Sequence, residues 1–164
     1  MDRLLATWFG IGWLKPASGT WGSAAAVLLA LGLYRLGHVW LLAAATLAVT
    51  LAGFWAVRRY TAAMTDKDRS EIVIDEVAGQ WLALCFPAAG FWMAGLGVTQ
   101  FPYPGWVAAF VFFRLFDIWK PWLVGAADRR GDADGVMIDD LWAGLFAGIA
   151  TLAAAAFAHL VVMA

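Results

Sequence analysis

Long apolar stretches are the feature of this sequence that most limits its fold. Of the 164 residues, 63% are hydrophobic and only 14% are charged, against roughly 25% charged residues in a typical soluble domain. A soluble fold of this length could not bury so much apolar surface, so the sequence predicts an integral membrane protein with one domain, residues 1–164. The net charge of −1 offers no basic surface for nucleic acid.

The apolar stretches can be divided into candidate membrane spans. A spanning helix needs about 20 apolar residues, because each adds 1.5 Å toward a hydrocarbon core of roughly 30 Å. The predicted fold class is an all-α, polytopic membrane helical bundle with four or five transmembrane helices, of which the first and fourth are short. Residues 1–15 are expected to form an N-terminal interfacial helix. The candidate spans are residues 21–36, 38–57, 75–98, 105–120 and 139–162.

The basic residues are distributed unevenly between the two ends of these spans. Of the eleven Lys and Arg residues, all but Arg35 fall in or beside the N-terminal segment and the connections 58–74 and 121–138. The positive-inside rule places these segments in the cytoplasm. All twelve acidic residues fall on the same side, so we expect the reactive groups to lie at the cytoplasmic face of the membrane.

Two acidic pairs stand where apolar helices are expected to begin. "IVIDEVAGQW" carries Asp75 and Glu76, and "GVMIDDLWAG" carries Asp139 and Asp140. A single pair could be a favourable match to the helix dipole, worth about 0.3–1 kcal/mol. Two pairs together with Asp117 would repel one another unless they were protonated, paired or bound to a cation. Because Mg²⁺ prefers oxygen ligands, we expect carboxylates among Asp75, Glu76, Asp139 and Asp140 to bind it, with Asp117 as a further ligand or a base.

Basic and hydroxyl groups near the acidic pairs predict an anion site. "FRLFDIWKPW" places Arg114, Asp117 and Lys120 near one helix face. Arg114 and Asp117 could simply neutralise one another, but ionisable groups inside a span are costly and usually mark function. Arginine suits paired phosphate oxygens. The helix start in "SGTWGS" would add free backbone N–H groups and the hydroxyls of Thr20 and Ser23.

Other motifs of phosphate chemistry are missing from the sequence. Both histidines, His38 and His159, fall near the outer face, and the single cysteine, Cys85, lies in an apolar run. No glycine-rich "GK[ST]" loop is present. The chemistry that remains is metal-assisted and uses carboxylates, lysine and arginine.

The acidic stretch "RRGDADGVMIDD" does not match a calcium-binding loop. The nearest EF-hand register would place Arg130 first and Leu141 twelfth, where carboxylates are needed. We expect a flexible acidic lid instead, with Asp132 and Asp134 as solvated charges.

Four of these stretches together resemble the phosphatidylglycerophosphatase A family of bacterial membrane enzymes. "GTWGS" at 19–23, "IVIDEVAGQW" at 72–81, "FRLFDIWKP" at 113–121 and "GVMIDDLWAG" at 135–144 occur in the order of the family. The resemblance implies Mg²⁺-dependent hydrolysis of phosphatidylglycerophosphate to phosphatidylglycerol and phosphate in the inner membrane. The chain departs from the usual "KPxP" continuation at Leu123, and "GDADG" contains less glycine than is common in the family.

The residues and the resemblance together suggest a role for each candidate. The nucleophile is either a water activated at the metal or one aspartate, and the sequence leaves both routes open. A cation transporter or channel is the alternative function, although the outer halves of the helices have no acidic residue to continue an ion path. A homo-oligomer is also left open. The predicted roles are catalytic for Asp75, Asp117, Lys120 and Asp139, substrate-binding for Thr20, Ser23, Arg114 and Lys120, and metal-binding for Asp75, Glu76, Asp139 and Asp140.

Overall fold

The computed structural model describes residues 1–100 and 103–162, and its regular elements there are all helices. This confirms the all-α prediction. By length and composition, Ser18–Tyr60 and Ala133–Val161 are candidate membrane spans, while the count of four or five spans stays a prediction. The helices are α1 (Asp2–Ala6), α2 (Ser18–Tyr60), α3 (Ile74–Met93), α4 (Tyr103–Trp119), α5 (Trp122–Asp128) and α6 (Ala133–Val162), with a 3-10 turn at Ile11–Trp13.

Helix α2 consists of two segments that run in opposite directions. Gly37 (φ −153°, ψ 25°) and His38 (φ 55°, ψ −159°) leave the helical region and divide it. Helix α3 runs parallel to the first segment of α2 and antiparallel to the second. The sequence-based boundary between the first two spans therefore falls at the observed break. The contacts that give these directions are Gly22 with Val73, Ala26 with Trp81, Thr46 with Cys85 and Trp40 with Trp92.

Helices α3 and α6 touch through two glycines. A Cβ atom added at Gly144 would lie 2.9 Å from the carbonyl carbon of Gly79, and one added at Gly79 would lie 2.9 Å from the carbonyl carbon of Asp140. Small residues at such a crossing let two helix backbones approach closely. Gly148 lies against the ring of Phe86 on the same face. Gly144 and Gly148, four residues apart, therefore lie on the face of α6 that packs closely against α3.

Helix α6 begins at Ala133, six residues before the predicted start of the last span. Asp132 precedes it, and its Oδ1 accepts a hydrogen bond of 2.7 Å from the N–H of Gly135, which is an N-cap interaction. Asp134 accepts two hydrogen bonds, of 2.5 and 2.9 Å, from the guanidinium of Arg58. Asp132 is half exposed, as expected for a solvated charge, but the expectation of a flexible lid is wrong, because both carboxylates cap or anchor the start of α6.

The N-terminal segment is less regular than the predicted interfacial helix. Only Asp2–Ala6 is α-helical, and the backbone then passes through positive φ at Trp8, Phe9 and Gly10. The carbonyl of Ala6 accepts a hydrogen bond of 3.0 Å from the N–H of Val73. This bond holds the segment against the connection that leads into α3. Its position at a membrane interface stays a prediction.

The charged connections lie together at one end of the bundle. The hydroxyl of Ser18, at the start of α2, donates a hydrogen bond of 2.5 Å to the carbonyl of Ser70. Arg58, near the end of α2, pairs with Asp134 at the start of α6. The turn at Gly37 and His38 lies at the opposite end, because the first α2 segment runs away from Ser18. The charged segments of the sequence thus gather at one end of the bundle, and the turn between the two segments of α2 lies at the other.

Replacing Gly144 by alanine should destabilise the protein. The new methyl group would meet the backbone of Gly79, and overpacking of this kind costs about 1–3 kcal/mol. Gly32→Ala is the matched control, because its Cβ would meet nothing within 4 Å and alanine favours a helix by up to about 1 kcal/mol. Equilibrium unfolding in detergent would measure both, and equal stability of the two variants would contradict the tight crossing.

Candidate active site

A cavity of about 360 Å³ opens at the charged end of the bundle. Its walls come from the first turn of α2, the connection before α3, the start of α3, the end of α4 and the second turn of α6. Of the residues predicted from the sequence, only Ser23 does not line it; it lies buried behind the wall, where its Oγ accepts a 3.5 Å hydrogen bond from Arg114. The predicted residues that line the cavity are Thr20, Asp75, Glu76, Arg114, Asp117, Lys120, Asp139 and Asp140.

Three carboxylates in this cavity lie close enough to share one ion. Asp75, Glu76 and Asp140 each offer an oxygen, and the three oxygens lie within 4.8 Å of one another. Asp75 is 7% exposed and Asp140 is 3% exposed. Within the described ranges, Glu76 Oε2 is buried without a hydrogen-bond partner. Because like charges this close repel, the arrangement fits a bound cation that balances them, and a set of carboxylate oxygens suits Mg²⁺.

The two acidic pairs are positioned in different ways. Asp75 and Glu76 lie in the first turn of α3, where the helix dipole favours them. Asp139 and Asp140 were also expected at a helix start, but α6 begins at Ala133 and they lie in its second turn. The expectation of a helix start at this pair is therefore wrong. Tertiary packing, rather than the dipole, brings Asp140 to the cavity.

Asp139 lines the cavity but faces Lys120. Its Oδ2 accepts a hydrogen bond of 2.9 Å from Lys120 Nζ, and its Oδ1 accepts one of 2.9 Å from the N–H of Asp140. Lys120 Nζ also pairs with Asp128. Burial lowers the pKa of Lys120, but the Asp128 and Asp139 carboxylates outweigh it and raise that pKa above its usual value. Lys120 is therefore a permanent cation on the cavity wall.

Arg114 supplies the second cation. Its Nη1 donates a hydrogen bond of 2.5 Å to Asp117 Oδ2, so the pairing that the sequence left open as an alternative is present. The Arg114 side chain is only 16% exposed, and its Nε is buried without a partner among the described residues. The Nε–H thus has no acceptor among the described residues, while Asp117 and Ser23 accept hydrogen bonds from Nη1 of the same group.

Gly19, the first glycine of the "GTWGS" stretch, makes room for these charges. A Cβ atom at Gly19 would lie 3.2 Å from Arg114 Nη1 and would collide with Glu76 Oε1. The carbonyl of Gly19 accepts a hydrogen bond of 2.8 Å from Ser23 Oγ, and Thr20 lies exposed at the rim of the cavity. The first turn of α2 can therefore approach both a carboxylate and a cation without a side chain between them.

Two carboxylates near the site were missed by sequence reasoning. Asp128 pairs with Lys120 across the helix break at Pro121, and Asp68 lines the cavity from the connection before α3. Asp68 stands in the charged stretch "TDKDRSE", which is typical of a solvated loop. Neither residue has a periodic relation to the predicted site, so the sequence held no signal that could have placed them there.

Comparison with known proteins finds relatives over almost the whole chain. The sequence model of the family PgpA, described as phosphatidylglycerophosphatase A, matches residues 4–155. Proteins named phosphatidylglycerophosphatase A from Haemophilus influenzae and Escherichia coli (strain K12) are 35% and 34% identical, over 92% and 90% of this chain and 86% and 80% of their own. A Bacteroides thetaiotaomicron protein provisionally named as a phosphatidylinositol-3-phosphatase is 34% identical over 89% of this chain and 88% of its own. No solved structure matches.

Replacing Lys120 by methionine should destabilise the fold, because Asp128 and Asp139 would lose their shared cation. Breaking a fully buried pair costs about 3–5 kcal/mol, and the 30% exposure of Lys120 reduces the expected loss to about 1–3 kcal/mol. Lys67→Met is the control, since among the described residues Lys67 bonds only to backbone carbonyls just after the end of α2. Unfolding in detergent at neutral pH measures the difference, and an unchanged stability of Lys120→Met would contradict the pairing.

Proposed function

Because the chain belongs to the phosphatidylglycerophosphatase A family, we propose that it removes the terminal phosphate of phosphatidylglycerophosphate by a Mg²⁺-dependent hydrolysis. The family match bears out the resemblance seen in the sequence. One observation supports the chemistry above all others: three clustered carboxylates share a cavity with three cationic side chains, Arg69, Arg114 and Lys120. A phosphomonoester is an anion that binds both to basic side chains and to a divalent cation.

Asp75, Glu76 and Asp140 are the proposed metal ligands. They are the carboxylates whose oxygens lie within reach of one ion, and Glu76 Oε2 has no partner among the described residues. A Mg²⁺ bound there would act as a Lewis acid that polarises the phosphoryl group. Asp139 was also expected to be a ligand. Its hydrogen bond to Lys120 favours a different role, in which it holds that cation at the cavity wall.

The basic groups are proposed to hold the phosphate. Arg114 lines the cavity and can donate guanidinium N–H groups that Asp117 does not occupy, and the first turn of α2 can donate backbone N–H groups, including that of Thr20. Lys120 would stabilise negative charge as a fixed cation. Because its pKa is raised, it is a poor proton donor, so its proposed part is electrostatic.

Asp117 is the proposed proton acceptor. It lines the cavity, and its ion pair with Arg114 places it beside the group that would hold the phosphate. In hydrolysis by water, this carboxylate would take a proton as the new oxygen–phosphorus bond forms, and the departing glycerol oxygen would gain a proton from solvent. Direct attack by an aspartate remains the second route, and detection of a phosphoenzyme would separate the two.

The proposed membrane position follows from the charged end of the fold. Its Lys and Arg residues favour the cytoplasmic side under the positive-inside rule. The proposed membrane is the bacterial inner membrane, and residues 1–164 are proposed to form one domain. Helix α4 has 17 residues and is about 25 Å long, shorter than the roughly 30 Å hydrocarbon core. Arg114 and Asp117, near its end, would then lie at the depth of lipid headgroups. The lipid substrate would reach the cavity from the cytoplasmic leaflet.

Phosphate release from phosphatidylglycerophosphate should require Mg²⁺ and the carboxylate cluster. EDTA should abolish release and added Mg²⁺ should restore it. Asp75→Asn, Glu76→Gln and Asp140→Asn should each lower kcat/KM by more than about 100-fold, since even the partners of metal ligands contribute about 10–100-fold. Free phosphate released by the purified protein in mixed micelles is the measurement.

Asp66→Asn is the matched control for these variants, because Asp66 is exposed and, within the part of the chain that the structure describes, its carboxylate bonds only to the N–H of Asp68. It should retain activity. Full activity in EDTA, or in the Asp75 and Asp140 variants, would overturn the metal site. Absence of phosphate release together with Mg²⁺ or Na⁺ flux in liposomes would support the transport alternative instead.

The protein should hydrolyse phosphatidylglycerophosphate in preference to phosphatidylinositol 3-phosphate. The second lipid is chosen for comparison because one relative carries it in its name. The first lipid carries its phosphate on a narrow glycerol end, whereas the second carries it on a bulky ring that must enter a cavity of about 360 Å³. We expect kcat/KM to differ by at least about tenfold, equivalent to ~1.4 kcal/mol. A higher value for the inositol lipid would contradict the assigned substrate.

A further inference from the structure

An apolar groove runs along the outside of the bundle between α2 and α4. Its volume is about 330 Å³, similar to that of the charged cavity, and none of its lining residues carries a charge. Leu28 and Val107 on its rim are largely exposed. The groove is lined by Ala24, Val27 and Leu28 of α2 and by Trp106, Val107 and Phe110 of α4.

This groove continues the same helix faces that line the cavity. On α4, Phe110 and Val107 lie four and seven residues before Arg114, which is the spacing of neighbours on one helix face. On α2, Ala24 and Val27 lie four and seven residues after Thr20. Both helices therefore present a strip that is charged or polar at the cavity and apolar beyond it. That pattern matches a molecule with an anionic head and a hydrocarbon tail.

We propose that the groove binds one acyl chain of the lipid whose phosphate occupies the cavity. This inference rests on the proposed function and adds a substrate-binding surface to it. From Ile118 at the cavity to Trp106 at the far end, α4 extends 12 residues, or about 18 Å. Half of a hydrocarbon core of roughly 30 Å has a similar depth, so the strip matches a chain from a single leaflet.

The rim of the cavity is open on the side that leads to this groove. Ile118 of α4 lines the cavity and is 71% exposed. Thr20 of α2 lines the same cavity and is also exposed. An apolar and a small polar side chain therefore stand between the charged cavity and the lipid. A lipid could enter sideways between α2 and α4 without drawing its tail past a charge.

A second apolar groove, between α3 and α6, fits this role less well. It has a volume of about 340 Å³ and is lined by Leu82, Ile138, Leu141, Trp142 and Leu145. At 100° per residue, its α6 residues centre on the helix face opposite to the one that Val136, Asp139 and Asp140 present to the cavity. A chain in that groove would have to pass around α6 to remain joined to a phosphate in the cavity.

Filling the groove tests the inference through chain-length dependence. Val27→Trp and Val107→Trp should lower kcat/KM for a dioleoyl substrate about tenfold and leave a dihexanoyl substrate within about twofold, because only the long chain needs the groove. Leu47→Trp is the control: Leu47 is 63% exposed on the second segment of α2 and lies outside the groove. Equal losses for both chain lengths, or the same loss in Leu47→Trp, would overturn the proposal.

Direct binding tests the groove separately from catalysis. A phosphatidylglycerophosphate analogue with a diazirine in one acyl chain should, on photolysis, label peptides that contain residues 24–28 and 106–110 of the wild-type protein. Labelling confined to residues 82 and 138–145, or labelling that Val107→Trp does not reduce, would overturn it. A protein that is labelled as expected but releases no phosphate from either chain length would show that the proposed function fails while the lipid groove stands. A change of oligomeric mass in Val107→Trp without a change in labelling would assign the groove to a second copy of the chain.

Discussion

The contact of α3 with α6 at Gly79 and Gly144 is the constraint on which the candidate site depends. Gly79 lies one turn after Asp75, and Gly144 lies one turn after Asp140. Because neither glycine has a side chain, the backbones of α3 and α6 touch. The carboxylates of Asp75 and Glu76 on α3 and of Asp140 on α6 therefore come within reach of one ion. The repulsion between those carboxylates opposes the contact. Helix packing must therefore hold the cluster together, and a bound cation would relieve the repulsion.

Ion pairing separates the predicted site residues of the cavity into two groups. Arg114 pairs with Asp117, and Lys120 pairs with Asp139 and with Asp128, which the sequence did not suggest. No such pair engages the cluster of Asp75, Glu76 and Asp140 within the part of the chain that the structure describes. The paired groups give the cavity a fixed electrostatic wall, while the unpaired cluster provides hard oxygen ligands. This division is what makes metal-assisted phosphate chemistry the function that the site supports best.

Much of the fold could be predicted from the apolar runs, and the local motifs identified most of the residues that line the cavity. The break at Gly37 and the end of α4 before Pro121 were both visible in the sequence. Helix α5, the early start of α6 at its Asp132 cap and the turn of Asp139 toward Lys120 were not. These features depend on contacts between distant segments, which leave no periodic signal. The sequence could place carboxylates at one end of the bundle but could not show which of them were already paired.

Binding of Mn²⁺, a cation with the same preference for oxygen ligands as Mg²⁺, is the most direct test that α3 and α6 share one ion. Electron paramagnetic resonance of the protein in detergent would count bound Mn²⁺ in the wild type, in Asp75→Asn and in Asp140→Asn. We expect one high-affinity site in the wild type, displaced by Mg²⁺, and loss of that same site in both variants although the residues lie on different helices. Retention of the wild-type site in either variant would show that the two helices do not hold a common ion.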